Sequence, residues 1–182
     1  MYTLTRWTVE DYHRIIEAGI LEDRPVELMK GEIIDMSPES PFHHFLNMSG
    51  VTYLRSLLGQ QAIISEAHPI TLPDSEPEPD IAIIRLPITN YRNRHPHPED
   101  IYWIIEISDS TLKKDLSLKK NVYASAGIRE YWVIDLQTRT LHVFRNPLGN
   151  DYESAETYRD GVVYSLAFPT IEISVKKLLG IE

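Results

Sequence analysis

The sequence predicts an α/β domain in which helices flank a mixed central β-sheet, with extra β-hairpins attached. Two segments, IAIIR at 81–85 and IYWIIEI at 101–107, consist mostly of large apolar residues, as is typical of strands buried on both faces. Three or four other segments carry helix signals, and several pairs of short strands are joined by turn residues. We expect one domain over 1–182, because no segment has the composition of a linker.

The first half of the chain contains two helix starts and a hairpin signal. Thr8, followed three residues later by Asp11, resembles a capping box, and Ser40 followed by Pro41 is a second helix start. The predicted elements are a helix at about 8–18, a hairpin at 25–37 around Lys30–Gly31, a helix from Ser40 to Gly59, and two short strands within 61–72. One face of the second helix is predicted to consist of Phe42, Leu46, Ser49, Tyr53 and Leu57.

The second half alternates buried strands with loops and helices. The spaced prolines of DSEPEPD exclude a helix before the first buried strand. The predicted elements after that strand are a polar loop at 86–100, the strand IYWIIEI, a helix at about 112–126 ended by Gly127, the strand pair YWVID and TLHVF, a hairpin within 151–164, and a short helix capped by Ser174.

The composition excludes several classes of protein. The chain has no Cys, which excludes disulfides, thiolate nucleophiles and zinc–thiolate sites. No apolar run is long enough to span a membrane and the start does not resemble a signal peptide, so we expect a cytoplasmic protein without membrane contacts. No dinucleotide or phosphate-loop motif is present, so we expect no organic cofactor. The formal net charge of −9 argues against a surface coated for non-specific nucleic-acid binding.

Two acidic residues lie at ends of the buried strands that can meet. Asp80 immediately precedes IAIIR, and Glu106 lies near the finish of IYWIIEI. If the strands pair antiparallel, the start of one lies beside the finish of the other, and the carboxylates come together. Their mutual repulsion would be relieved by Mg²⁺ or Mn²⁺, ions that prefer oxygen ligands. The competing interpretation is that Glu106 is a rim residue whose carboxylate reaches water.

A lysine interrupts an apolar helix stripe that follows Glu106. The stripe repeats every three or four residues and consists of Leu112, Leu116, Lys119, Tyr123 and Ala126. Lys119 either extends to solvent with its methylenes packed, or faces the acid pair and balances its charge. The acid pair favours the second interpretation. The other lysines of this segment are expected to face solvent; they are Lys113, Lys114 and Lys120.

These residues resemble a known pattern. The block EISDSTLKKDLSLKKNVYASAGIREYWVID is similar to the signature of the Uma2 family of restriction-endonuclease-like proteins, within the PD-(D/E)XK nuclease superfamily. The resemblance implies a restriction-endonuclease-like core, with Asp80, Glu106 and the Ile107 carbonyl as ligands of Mg²⁺ or Mn²⁺. Ser108 stands where the nuclease core motif has lysine, and the resemblance implies that Lys119 takes over that role.

The implied activity is hydrolysis of DNA phosphodiester bonds, with Asp80, Glu106 and Lys119 as catalytic residues. The resemblance extends to Glu27, a further catalytic candidate, and it implies a homodimer. Three residues are predicted to lie on the substrate side, namely His44, Tyr123 and Ser108. The alternative function is a non-catalytic module that keeps the nuclease fold and binds nucleic acid or protein. A two-carboxylate glycosidase fits poorly, because the acids follow buried strands and a lysine is predicted beside them.

Some candidate residues also have ordinary structural explanations. Glu27 could be a surface residue at a strand edge, and His44 could serve packing alone. Glu78, two residues before Asp80, could substitute as a ligand but is expected to be solvated. The segment RNRHPHP at 92–98 suggests a metal or nucleic-acid site. We expect it to be a solvated loop, since it lies at the far end of the strands from the two acids.

Overall fold

The computed structural model describes residues 3–182 of the chain. The strands of this part are Val26–Met29 (β1), Glu32–Asp35 (β2), Ile63–Glu66 (β3), Ile81–Ile84 (β4), Ile101–Ser108 (β5), Glu130–Asp135 (β6), Thr140–Leu148 (β7), Asp151–Tyr158 (β8), Val162–Val163 (β9) and Ile173–Ser174 (β10). The central sheet has the order β3-β4-β5-β6-β7-β8. β5 and β6 run parallel, whereas the other neighbouring pairs are antiparallel. The predicted α/β class with a mixed central sheet is confirmed.

The helices begin where their capping residues indicated. They are Val9–Glu17 (α1), Pro41–Leu58 (α2), Leu112–Lys114 (α3), Lys120–Ser125 (α4) and Val175–Leu178 (α5). The side chains of Thr8, Ser40 and Ser174 each accept a backbone N–H in the first turn of α1, α2 and α5. Within residues 3–182, no helix combines the length and the apolar composition needed to cross a membrane.

Two apolar layers cover the two faces of the sheet. Successive side chains of a strand point to opposite faces. Trp103 of β5 therefore packs in one cluster with Leu54 of α2, while Ile104 packs in the other with Tyr123 of α4. Glu106 lies two residues beyond Ile104 and thus points to the face covered by α4.

The helix predicted over 112–126 contains an irregularity that its sequence pattern did not indicate. α3 and α4 are joined by a π-helical turn at Asp115–Lys119, so the segment from 112 to 125 is one helical body with a locally wider turn. Both Asp115 and Lys119 are buried in it. Single π-turns inside helices are frequent at functional sites.

α2 buries a face different from the predicted one. Phe42, on the predicted face, is 46% exposed. The buried side consists of His43, Leu46, Asn47, Gly50, Val51, Leu54 and Leu58. The pattern was ambiguous because Phe45 and Met48 are large and apolar but exposed. Gly50 faces β4, where an added Cβ would lie 3.5 Å from Ile81 Cδ1, an ordinary van der Waals distance.

Two of the strand predictions are wrong. Residues 61–72 contain one strand, β3, and not two. The strand ends before Ala67, where the chain turns with a φ of +46°. The segment 151–164 is not a hairpin, because β8 pairs along its length with β7 while β9 pairs with β10. The hairpin predicted at 25–37 is confirmed as β1 and β2. Its turn residues Lys30 and Gly31 both have positive φ, as a two-residue hairpin turn requires.

The buried carboxylate of Glu130 links the carboxyl-terminal segment to the sheet through hydrogen bonds. Glu130 is 0% exposed, and it accepts hydrogen bonds from Trp132 Nε1 at 2.9 Å, Arg145 Nε at 2.8 Å and the Leu166 amide at 2.7 Å. Arg145 also donates from Nη1 to Glu156 Oε2 at 2.8 Å, but the Glu156 side chain is 51% exposed. Arg145 therefore joins one buried and one exposed carboxylate.

This arrangement predicts that two matched substitutions will differ strongly in how much they lower the free energy of unfolding. Glu130→Ala should lower the free energy of unfolding by roughly 3–5 kcal/mol, because it leaves three buried or half-buried donors without their acceptor. Glu156→Ala should cost less than about 1 kcal/mol, since its ion pair is exposed to solvent. Urea unfolding of both variants checks this. Equal losses of unfolding free energy in the two variants would contradict the conclusion that the buried contacts of Glu130 contribute more than the exposed ion pair of Glu156.

Candidate active site

A cavity of about 350 Å³ lies where the end of β5 meets the beginning of α2, the β1–β2 hairpin and the π-turn segment. Seven of the residues that line it carry carboxylates, against two lysines and one histidine. We call this cavity the acid pocket. Its excess of negative charge is costly unless cations enter it.

The two acids predicted from the buried strands meet at this pocket. β4 pairs antiparallel with β5, Ile81 lying opposite Ile105, which confirms the predicted pairing. Asp80 therefore lies beside Glu106 at the pocket wall. Asp80 Oδ2 accepts the Ile107 amide at 2.6 Å and faces His43 Nε2 at 3.2 Å. These contacts hold the Asp80 carboxylate against the end of β5.

Glu106 is a buried carboxylate and not a rim residue. It is 2% exposed, and its Oε1 accepts a hydrogen bond from Tyr123 OH at 2.6 Å and forms an ion pair with Lys119 Nζ at 2.9 Å. Burial raises the pKa of Glu106 to about 8; Lys119 opposes this shift, and the charges of Asp80 and Asp115 add to it. Within residues 3–182, Oε2 of Glu106 accepts no hydrogen bond, so this oxygen is available to a ligand.

Lys119 points into the acid pocket. It is 8% exposed, and its Nζ also lies 4.0 Å from Asp115 Oδ1. Burial acts to lower the pKa of Lys119, but the surrounding carboxylates, Glu106 first among them, hold it above its ordinary value. The side chain is therefore an ammonium ion, which donates hydrogen bonds and cannot act as a base.

Ser108, at the position where the nuclease core motif has lysine, orients another acid. It is fully buried, and its Oγ donates to Asp115 Oδ2 at 2.6 Å. Thr111 Oγ1 donates to the same oxygen at 2.7 Å. In this structure Ser108 thus contacts Asp115, and Tyr123, which is also fully buried, contacts Glu106. Substrate contact by either residue stays a prediction.

Glu27 and Glu78 extend the acid pocket toward the β1–β2 hairpin. Glu27 is 2% exposed, and it accepts a hydrogen bond from Lys114 Nζ at 2.7 Å. The sequence allowed a surface position for Glu27 and predicted one for Lys114, but both side chains line the pocket. Glu78 is half-buried, and burial, with the charge of Glu27, raises its pKa above the ordinary value. Lys114 is the second lysine of the pocket, and it did not belong to the helix stripe from which Lys119 was predicted.

The histidine of the acid pocket is His43, one position before the residue predicted. The His44 side chain is 63% exposed and lies beside Glu39, outside the cavity. His43 is 9% exposed, and Glu39, His43 and Asp80 offer ligand atoms that lie within 4.8 Å of one another. Burial acts to lower the pKa of His43, but the hydrogen bond and charge of Asp80 raise it on balance. The spacing of His43 from Leu46, Asn47 and Gly50 was the signal that could have found it.

The donor atoms of the acid pocket fit a hard divalent cation. Asp80 Oδ1 and Glu106 Oε2 are free of hydrogen bonds within residues 3–182, and Ile107 also lines the pocket. Carboxylate and carbonyl oxygens suit Mg²⁺ or Mn²⁺. The excess of carboxylates over lysines supplies the charge that such an ion neutralises.

The raised pKa of Glu106 predicts a pH dependence of stability without metal. Its ordinary value is 4.5 and its value in the folded chain is about 8. The folded chain binds this proton more tightly, so the stabilisation is complete below about pH 4.5 and is lost as the pH rises to about 8. The free energy of unfolding in EDTA should fall over this range by no more than roughly 1.4 kcal/mol per pH unit for this proton, and the melting temperature should fall with it. Glu106→Gln should flatten the slope, and an unchanged slope would assign it to other groups.

Comparison with known proteins identifies the fold and the family of the chain. No curated protein shows significant similarity to the chain. The solved structure of "a putative nuclease belonging to DUF820" from Anabaena variabilis superposes with a TM-score of 0.68 and 21% sequence identity, over 86% of this chain and 90% of that one. It shares the fold. The model of the Uma2 family, described as "Putative restriction endonuclease", matches residues 9–176. The chain belongs to the Uma2 family of restriction-endonuclease-like proteins.

Proposed function

We propose that this protein is a Mg²⁺- or Mn²⁺-dependent endonuclease that hydrolyses phosphodiester bonds of DNA. The observation that supports it best is the convergence of two acids and a lysine from different elements. Asp80 contacts the end of β5 through the Ile107 amide at 2.6 Å, and Lys119 reaches Glu106 of that strand at 2.9 Å. The family supports a nuclease, and the acid pocket supplies the residues that the reaction needs.

Asp80, Glu106 and the Ile107 carbonyl are the proposed metal ligands. When bound, a divalent ion polarises the scissile phosphate and lowers the pKa of a bound water. Tyr123 and Lys119 hold Glu106 through one oxygen and leave the other to the ion. His43 and the Ile107 amide do the same for Asp80. Each ligand is thus oriented before the ion arrives, which reduces the cost of binding it.

Lys119 is proposed to act on the phosphate or on the attacking water as a cation. Because the neighbouring carboxylates keep it protonated, it can donate a hydrogen bond to a phosphate oxygen as negative charge develops there. Asp115, held by Ser108 and Thr111, lies 4.0 Å from its ammonium group and limits where that group can move. Glu27 would act at a distance, by fixing Lys114 at the pocket wall.

Asp80→Asn tests the metal site with almost no change in side-chain shape. Plasmid cleavage in Mg²⁺ or Mn²⁺ should fall by at least about 100-fold, because the substitution removes a charged metal ligand. Asp160→Asn, an exposed acid outside the pocket, is the matched control and should cleave like the wild type. Cleavage by Asp80→Asn at the control rate would remove Asp80 from the mechanism.

Gel-shift experiments without metal separate the nuclease from the non-catalytic alternative. If the wild type binds DNA but never cleaves it with either ion, the chain is a binding module that keeps the fold. Circular dichroism of each variant verifies that it is folded.

Lys119→Met tests the role of the ammonium group. The substitution keeps the packed methylenes but removes the cation, so the rate of cleavage should fall by roughly 100- to 1,000-fold, as for loss of a donor to a developing charge. Lys113→Met is the matched control, since Lys113 is exposed on the same helical segment. Similar rates for the two variants would show that Lys119 has no role in the chemistry.

We also propose that the active form is a homodimer, because cleavage of both DNA strands requires two sites. The outer face of α2 offers exposed apolar side chains beside the acid pocket, with Phe42 and Phe45 stacked at 6.2 Å between ring centroids and Met48 53% exposed. Such a surface favours association. The cytoplasmic location stays a prediction.

A further inference from the structure

A second cavity, of about 620 Å³, lies between α2 and the edge strand β3, and we call it the α2–β3 cavity. Glu39 lines both this cavity and the acid pocket, so the two adjoin. α2 contributes His44, Asn47 and Arg55 to the lining, and the segment 63–68 forms the rest of it. The proposed metal site and chemistry give this cavity no role.

Asn47 is a buried amide whose oxygen has no partner. It is 3% exposed, and its Oδ1 is shielded from solvent and accepts no hydrogen bond within residues 3–182. Buried polar atoms nearly always have a hydrogen-bond partner, because an unpaired one is costly. Since Asn47 lines the α2–β3 cavity, a ligand in the cavity can supply the missing donor.

The charges around the α2–β3 cavity differ from those of the acid pocket. Its lining combines two carboxylates, from Glu39 and Glu66, with the guanidinium of Arg55 and two imidazoles. It therefore lacks the large excess of negative charge that favours cations in the acid pocket. The imidazole rings of His44 and His68 offer faces on which a flat, neutral ring can stack.

Asn47 lies one helical turn from a residue of the acid pocket. It follows His43 by four residues on the buried side of α2, which is about 6 Å along the helix axis. His43 Nε2 in turn lies 3.2 Å from Oδ2 of Asp80, a proposed metal ligand. Nucleotides of a stacked strand follow one another at about 3.4 Å. A base one or two nucleotides from a phosphate in the acid pocket can therefore reach the α2–β3 cavity.

We propose that the α2–β3 cavity binds one base of the DNA and that Asn47 selects adenine there, an inference that rests on the proposed nuclease function. An asparagine amide pairs with adenine through two hydrogen bonds, with its oxygen accepting from N6 and its nitrogen donating to N7. Asn47 Oδ1 thereby gains the donor that it lacks. Because Asn47 is buried, the base must leave the stack to reach it, which costs least in single-stranded DNA.

Arg55 holds the phosphate of the same nucleotide. Its side chain is exposed at the cavity, and Nη2 donates to the Ile64 carbonyl at 3.2 Å, which fixes the position of the guanidinium. A phosphate contact positions a nucleotide without distinguishing its base. Base selection and phosphate binding are therefore assigned to different side chains, which can be tested separately.

The test measures binding of the four deoxynucleoside monophosphates to the isotope-labelled full chain by NMR, in EDTA so that the acid pocket holds no metal. Deoxyadenosine monophosphate should shift the side-chain amide signal of Asn47, which is identified by its loss in Asn47→Leu. The Kd of this nucleotide should be at least about 5-fold lower than those of the other three, as expected for one bidentate pair.

Two substitutions separate the two roles. Asn47→Leu should bind the four nucleotides with affinities equal to within about 2-fold, since the bidentate pair is lost. Arg55→Gln should weaken the binding of all four by a similar factor and keep the preference for adenine. Asn90→Leu, at an exposed position outside the cavity, is the matched control and should bind like the wild type.

Thermal unfolding distinguishes base selection from a structural role of Asn47. Asn47→Leu should keep or raise the melting temperature, because it removes an unpaired buried polar atom. A lower melting temperature, binding without a preference for adenine, or a preference that survives in Asn47→Leu would overturn the inference. None of these results depends on cleavage, so a preference for adenine in a chain that never cleaves DNA would refute the nuclease proposal alone.

Discussion

The buried ion pair between Lys119 and Glu106 is the interaction around which the acid pocket is built. Removing either partner alone would leave an uncompensated charge in the interior. Lys119 neutralises one carboxylate of a pocket that contains seven. The remaining negative charge favours the entry of cations, and the proposed metal site uses the free oxygens of Asp80 and Glu106.

The π-turn determines how the helical segment meets β5. Asp115 and Lys119 mark the two ends of that turn, and both are buried. Ser108, at the end of β5, donates to Asp115, while Glu106 forms an ion pair with Lys119 and accepts a hydrogen bond from Tyr123 one turn further on. Polar contacts thus link the strand to successive turns of the helical segment. Ser108, which stands where the nuclease core motif has lysine, contributes to this network by holding Asp115.

Asp80 depends on the extended segment that precedes it. Prolines at 77 and 79 exclude a helix there, and the segment is held to the hairpin by the Leu28–Glu76 bridge. Glu27, next to Leu28, enters the acid pocket from the same hairpin. The β1–β2 hairpin therefore supports both Glu27 and the segment that leads to Asp80.

The sequence alone determined the fold class, three helix caps, the hairpin at Lys30–Gly31 and the antiparallel strand pair that brings Asp80 to Glu106. These features follow from local rules, namely periodicity, capping and turn chemistry, or from a strand pairing with few alternatives. The helix stripe also predicted that Lys119 faces the sheet. The π-turn changes the helix only locally, so residues spaced by three and four still lie near one face.

Only the tertiary structure decided which face of α2 is buried, and with it that His43 and not His44 reaches Asp80. Apolar residues occur on both sides of that helix, and the choice depends on how the whole helix packs against the sheet. The ion pair of Lys114 with Glu27, and the meeting of His13 and His95 at Glu76, join residues 87, 63 and 19 positions apart. Such contacts are set by how whole elements pack, and no local pattern in the sequence encodes them.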